Sequence, residues 1–257
     1  MSQRLVILGA GTALPDAERD NTSLVWDSPS GSLLIDCGGR AYQQLLRAGV
    51  DPLGLRDVLL THNHTDHIYG LPALLFHLWL AGYQATLHIW ANVPTLAMAR
   101  KLVDALELER DGHMCAVAWH ELPDTPGYAV LETNGYRVST TPVEHSRPTL
   151  AVRIENRETG GVLAYSADTE PCAAFEELAR GAQLVIHEAT VAQPDGGSKH
   201  STPAQAGTVA ANAGAERLLL IHYSAAYTMP EAQALDEARG AFNGEVEPAR
   251  ELAEYFV

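Results

Sequence analysis

Apolar residues along this chain take turns between two rhythms: short continuous or alternating runs, and longer stretches of helical spacing. Residues 5–8 form an apolar run closed by Gly9 and Gly11, which predicts a buried strand. Residues 23–26 and 32–36 flank Ser28-Pro29-Ser30-Gly31 and predict a hairpin. Residues 40–48 carry helical spacing and stop at Gly49, and residues 57–61 predict a strand that runs directly into a histidine-rich segment. The stretches 71–83 and 95–108 are helical in period, with 85–90 alternating as a strand between them. Three further strands are expected at 136–142, 150–155 and 162–166, then a short helix at 175–179 and a strand at 183–187. A helix at 203–213, capped by Ser201 or Thr202 ahead of Pro203, leads to a strand at 217–222 and a last helix from about Pro230. With no linker and no repeat, the expectation is one domain over 1–257.

Composition narrows the function classes. The chain has 257 residues, 46% of them hydrophobic and 19% charged, as in a globular protein. Its 17 basic and 32 acidic residues leave a formal net charge of −15 and no basic run. That field repels nucleic acid and anionic membrane, which disfavours RNA as a partner. Cys37, Cys115 and Cys172 are far apart and form no CxxC pair, which argues against a disulfide framework or a thiolate zinc site and fits a reducing cytoplasm. The first residues lack a signal peptide's apolar core, and the apolar stretch 71–81 is too short to span a bilayer, so a cytoplasmic protein without a membrane segment is expected. Gly9-Ala10-Gly11 lacks the third glycine of a dinucleotide loop, and Pro15 stands where its helix would run, so it reads as a tight turn.

The chemistry concentrates in Thr61-His62-Asn63-His64-Thr65-Asp66-His67. His62 and His64 project to one side of extended chain, and Asp66 and His67 follow at a helix start. Imidazoles and a carboxylate in one short run suit zinc and other borderline divalent ions. Further ligands must come from other strand ends, where His145, Asp168, His187 and His222 stand as candidates. His77, His88, His113 and His120 have no such setting and read as structural or surface histidines.

These residues resemble the signature of the metallo-β-lactamase superfamily, the HxHxDH run at His62 to His67. Within it the chain is most similar to ribonuclease Z-like phosphodiesterases. The shared segments are Leu8-Gly9-Ala10-Gly11-Thr12-Ala13-Leu14-Pro15, Asn21-Thr22-Ser23, Asp36-Cys37-Gly38, His187-Glu188-Ala189-Thr190, His200-Ser201-Thr202 and the block from Leu220 to Tyr227. The resemblance implies an α/β fold, an αββα four-layer sandwich. It implies two divalent metal ions, zinc by default with manganese or iron as alternatives. His62, His64 and His145 would hold one ion, Asp66, His67 and His222 the other, and Asp168 would bridge them beside a metal-bridging hydroxide. Asp66 would also orient that nucleophile, and Glu188 and His200 match a pair used beside the leaving group. Phosphodiester hydrolysis is therefore expected. Ribonuclease Z enzymes grip tRNA with an arm inserted between the positions of His145 and Asp168, where this chain has room only for two strands and a turn, and Ala226 replaces an arginine common before the tyrosine. A small or cyclic phosphodiester is thus the expected substrate. The alternatives are a tRNA 3′ endonuclease and a lactone or carboxylic ester hydrolase on the same metals. The segment 71–108 is a candidate lid or homodimer face, or else ordinary core helices.

Overall fold

The computed structural model describes residues 3–194, 197, 199–226 and 228–257, so Tyr227 of the last motif lies outside the described residues. The chain divides into two compact units, residues 1–123 with 250–256, and residues 124–249 with 257.

The first unit carries β1 (Arg4–Gly9), β2 (Ser23–Asp27), β3 (Ser32–Ile35), α1 (Ala41–Arg47), β4 (Leu55–Leu59), α2 (Thr65–Ile68), α3 (Leu71–Leu80), β5 (Leu87–Asn92), α4 (Val93–Ala105) and β6 (Val117–Leu122). A terminal strand, Glu254–Tyr255, joins its sheet on the edge beside β1, and the order then runs from β1 to β6. Pairing is antiparallel as far as β3 and parallel from β3 to β6. One face of the sheet is covered by α1, α3 and α4, whose Leu45, Leu71, Leu74, Leu75, Leu78, Leu96 and Val103 pack with Val58, Leu87 and Ile89. Each such leucine contributes roughly 1.5–3 kcal/mol of burial. Within residues 71–108, α3, β5 and α4 contribute to this core, β5 sits between β4 and β6, and the large exposed apolar side chains are Trp79, Leu80, Val93, Met98 and Leu106.

The second unit holds β7 (Tyr128–Glu132), β8 (Tyr136–Val143), β9 (Thr149–Asn156), β10 (Val162–Tyr165), α5 (Ala173–Ala179), β11 (Leu184–Glu188), α6 (Pro203–Ala213), β12 (Arg217–Ile221), α7 (Glu231–Ala241) and β13 (Glu245–Pro248). Its sheet runs in order from β13 to β7, parallel from β13 to β10 and antiparallel from β10 to β7. Phe175, Leu178, Val209, Ala210, Ala234 and Ala238 of the three helices pack on Val185, Leu218 and Leu220. Helix α6 begins where the sequence predicts, because Thr202 and Gln205 close a reciprocal capping box and Pro203 occupies the first turn. It ends at Gly214 in the left-handed conformation. Among the described residues, no helix is long and apolar enough to cross a membrane.

Candidate metal centre

In the first unit the chain leaves β4 at Leu59 and reaches His64, the extended residue before α2. His62 Nε2 and His64 Nδ1 face each other at 3.1 Å. The first turn of α2 then raises Asp66 and His67, with Asp66 Oδ2 3.4 Å from His67 Nε2. The His62 and His67 ring centroids are 4.1 Å apart. His62, Asp66 and His67 are buried and His64 is half-buried.

A ligating imidazole needs a partner on its other nitrogen to fix the tautomer. For His67 that partner is Asp36, fully buried just after β3, whose Oδ2 accepts from Nδ1 at 2.8 Å. Asp36 also accepts from the Thr61 backbone N–H at 2.8 Å and from the Thr61 hydroxyl at 3.0 Å. The Thr61 oxygen in turn lies 3.0 Å from His62 Nδ1, which donates to it. Both histidines are thereby set with a proton on Nδ1 and a lone pair on Nε2. The turn after Asp36 packs hard against this segment. The Cys37 N–H donates to the His67 carbonyl at 2.7 Å, and a Cβ at Gly38 would lie 1.7 Å from the Asp66 carbonyl oxygen.

In the second unit the site residues follow the carboxyl ends of β8, β10, β11 and β12. His145 stands two residues after β8 and donates from Nδ1 to the Lys199 carbonyl at 3.0 Å. Burial lowers its pKa below the ordinary histidine value, outweighing the opposite pull of Asp168 and the Lys199 carbonyl. Asp168 Oδ2 lies 3.9 Å from His145 Nε2 and 3.6 Å from His222 Nε2. One ligand-type atom from each of Asp168, His200 and His222 falls within 4.8 Å of the others. The His200 ring stacks on His222, with centroids 5.7 Å apart and planes at 14°.

Glu188 ends β11 with a fully buried carboxylate surrounded by donors. Oε1 accepts from the Thr169 N–H and from His200 Nδ1, both at 2.7 Å. Oε2 accepts from the Thr190 hydroxyl at 2.6 Å, the Ser201 N–H at 3.2 Å and the Thr190 N–H at 3.3 Å. The loop that carries His200 is pinned by the Ser201 hydroxyl on the Thr169 carbonyl at 2.7 Å and by the α6 capping box. Asp36, Ala167, Lys199 and His222 all have positive φ, between 50° and 61°. Strain of this kind costs of the order of 1–3 kcal/mol per residue and persists where surrounding bonds over-determine it.

His187, a strand-end candidate from the sequence, lies elsewhere. Successive residues of a strand point to opposite faces. Glu188 meets His200, while His187 is buried edge-on against Phe175 of α5, with Nδ1 donating to the Glu188 carbonyl at 2.8 Å and Nε2 without a hydrogen-bond partner. His88 and His120 pair with each other at 2.8 Å on β5 and β6, and His77 packs on Tyr42. Sequence reasoning did not assign Asp36, Thr61, Thr190 or the Lys199 carbonyl any part in the site.

The donor sets fit a divalent ion. Zinc–nitrogen bonds of 2.0–2.1 Å at tetrahedral angles separate two ligand nitrogens by about 3.3 Å. The 3.1 Å between His62 Nε2 and His64 Nδ1 is close to that edge. Among the Nδ1 atoms, those of His62, His67, His145 and His222 are each held by an oxygen of the protein, so Nε2 is the nitrogen each could offer to an ion.

Solved structures share this fold. The metallo-β-lactamase fold protein YhfI of Bacillus subtilis superposes with a TM-score of 0.81 at 24% identity, over 98% of both chains. A diphosphatase from the PhnP family gives 0.75 at 21% identity, over 99% of this chain and 98% of that one. The fold is thus the αββα sandwich of the metallo-β-lactamase type that the motifs implied. The profile of the Beta-lactamase superfamily domain matches residues 32–223, and the chain belongs to that family as a metallo-β-lactamase-type hydrolase with a metal-binding His/Asp cluster. Among curated relatives, a ribonuclease Z of Methanothermobacter thermautotrophicus is 28% identical over 93% of this chain and 92% of its own. That match runs over 293 residues against the 257 of this chain, so the relative carries insertions that this chain lacks.

Proposed function

We propose that this protein is a phosphodiesterase that hydrolyses a small or cyclic phosphodiester at a dinuclear metal centre. In this reading His62, His64 and His145 would hold one ion, Asp66, His67 and His222 the other, and Asp168 would be shared by both. Zinc suits the His/Asp donors, with manganese or iron as alternatives. Such ions, when bound, lower the pKa of water to near neutrality and offset charge on phosphoryl oxygens.

The observation that carries the reading is the Glu188–His200 pair, joined at 2.7 Å over a carboxylate with no exposure. His200 Nδ1 is committed to Glu188, and its ring stacks on the proposed ligand His222. A cationic His200 held there hydrogen-bonds a phosphoryl oxygen as charge builds and delivers a proton to the departing alkoxide. A phosphodiester needs that help because its leaving oxygen is a strong base. Asp66, beside His67, orients the attacking water.

The size of the substrate is inferred from what is missing around the site. Strands β9 and β10 are joined by residues 157–161, which leaves no tRNA-gripping arm between His145 and Asp168. The net charge of −15 offers little counterion release on RNA. The similarity to the PhnP-family diphosphatase accords with a phosphorylated substrate, and three free cysteines accord with the cytoplasm. A second reading, tRNA 3′ processing, is favoured by the ribonuclease Z relative matched over more than nine-tenths of both chains.

The first test is hydrolysis of bis(p-nitrophenyl) phosphate by zinc-loaded protein, with His200→Ala and a nitrophenyl carboxylic ester as controls. Diester turnover that falls at least a hundredfold in the variant is expected, by the usual scale of general acid catalysis. Turnover of the ester alone, indifferent to His200, would replace this reading with lactone or carboxylic ester hydrolysis.

A further inference from the structure

We infer that Thr190 is a positioning residue whose single hydroxyl ties the ligand His222 to the Glu188–His200 pair, an inference that rests on the dinuclear phosphodiesterase reading above. The hydroxyl oxygen lies 2.6 Å from Glu188 Oε2, 2.8 Å from His222 Nδ1 and 3.0 Å from the His222 carbonyl oxygen. A hydroxyl has one proton and two lone pairs. The carboxylate is the stronger acceptor and the nearer one, so the proton goes to Glu188. The lone pairs are then left to accept from His222 Nδ1, which must carry the proton. Nε2 of His222 is thereby stripped of hydrogen and directed to the side where Asp168 Oδ2 lies at 3.6 Å.

The same bond fixes the other end. With Oε2 held by the Thr190 hydroxyl and by the Thr190 and Ser201 N–H groups, Oε1 is left to His200 and Thr169. Thr190 is itself anchored, since the Thr228 hydroxyl donates to its carbonyl at 2.7 Å. His222 is at φ 50°, and this left-handed turn brings its carbonyl back onto the same hydroxyl.

Thr61 gives the comparison within the molecule. Its hydroxyl donates to Asp36 and accepts from His62 Nδ1 in the same way, but Asp36 leads to a second ligand, His67. Thr61 therefore joins ligand to ligand, whereas Thr190 joins a ligand to the proton-delivering pair. Its removal should disturb metal binding and turnover by separable routes.

The test compares Thr190→Val, which keeps the shape and loses the hydroxyl, with Thr190→Ser, which keeps the hydroxyl. Zinc affinity is measured by competition with a chromophoric chelator, and the His222 tautomer by long-range 1H–15N spectra of the metal-free protein. Values of kcat and KM for bis(p-nitrophenyl) phosphate are taken at saturating zinc. In Thr190→Val, affinity falls about 10- to 100-fold, the usual effect of losing a partner behind a metal ligand. The Nε2–H tautomer of His222 appears, and kcat falls at least tenfold with KM nearly unchanged. Thr190→Ser restores all three, and in a His200→Ala background Thr190→Val still weakens zinc but costs little further kcat. Wild-type zinc affinity and tautomer in Thr190→Val, or a serine variant as impaired as the valine one, would overturn the inference. If the wild-type protein turns over no diester while affinity and tautomer respond as expected, the positioning role stands and the phosphodiesterase reading fails instead.

Discussion

Asp36→Asn replaces one oxygen by an amino group on a side chain that touches no proposed substrate. Asp36 accepts from His67 Nδ1 at 2.8 Å through Oδ2, and from the Thr61 N–H at 2.8 Å and the Thr61 hydroxyl at 3.0 Å through Oδ1. The asparagine carbonyl can take over the Thr61 bonds, which leaves its NH2 facing His67 Nδ1. Two donors cannot share that line, so His67 either loses the bond or moves its proton to Nε2, the atom 3.4 Å from Asp66 Oδ2 that the reading assigns to metal. Losing a hydrogen bond to a charged group in a buried setting costs about 1.5–3 kcal/mol. That range corresponds to roughly a 10- to 150-fold change in an equilibrium constant. The usual cost of losing a carboxylate behind a ligating histidine is about 10- to 100-fold in affinity, so the two routes agree. The assay is zinc competition against a chromophoric chelator, with circular dichroism to establish that the fold is kept. A folded Asp36→Asn protein that binds zinc as tightly as wild type would refute the assignment of His67 as a ligand through Nε2.

Gly38→Ala is expected to lose zinc binding or fold poorly, because its Cβ would meet the Asp66 carbonyl at 1.7 Å and neither backbone can retreat without moving Asp66; metal content after purification checks this. In thiol titration of the native protein, half-buried Cys172 should react first, while buried Cys115, pushed up to about 11, and Cys37, pushed higher still by burial, should react only on unfolding. Burial lowers the His187 pKa, so below about pH 6.5 the unfolded chain takes up a proton that the folded chain refuses. Its contribution to stability is therefore present above that pH and lost on acidification, by at most about 1.4 kcal/mol per pH unit. Denaturant melts of metal-free wild type and His187→Asn from pH 7 to 5 should show the shallower pH slope in the variant, and equal slopes would contradict this.

Much of the architecture was legible because local signals agreed with the tertiary outcome. The helix at 203–213 has the bounds the sequence predicts, since its capping box, first-turn proline and terminal glycine are all local. Strands β6, β7 and β13 and the terminal strand were not predicted. They lie at or beside sheet edges and bury few side chains, as in β7 and β13, so pairing defines them more than any apolar run. Strand β4 stops at Leu59 rather than reaching Thr61, because the Thr61 N–H is taken by Asp36. The His/Asp run at 62–67 stood out as a candidate from residue type and spacing alone. Asp36, Thr61 and Thr190 were not, because their roles depend on partners brought close only by folding, such as His67 at 31 residues from Asp36. His187 is the reverse case: strand periodicity alone puts it on the face opposite Glu188.

The central claim, a diester-cleaving site for small substrates, is tested most directly by offering one zinc-loaded preparation a 2′,3′-cyclic nucleotide, a 3′,5′-cyclic nucleotide and a precursor tRNA with a 3′ trailer at equal concentration, with His200→Ala in parallel. The account predicts turnover of at least one cyclic phosphodiester, lost in the variant, with kcat/KM at least a hundredfold above that for the precursor tRNA. Efficient trimming of the tRNA with no cleavage of either cyclic nucleotide would contradict it and establish the ribonuclease Z reading.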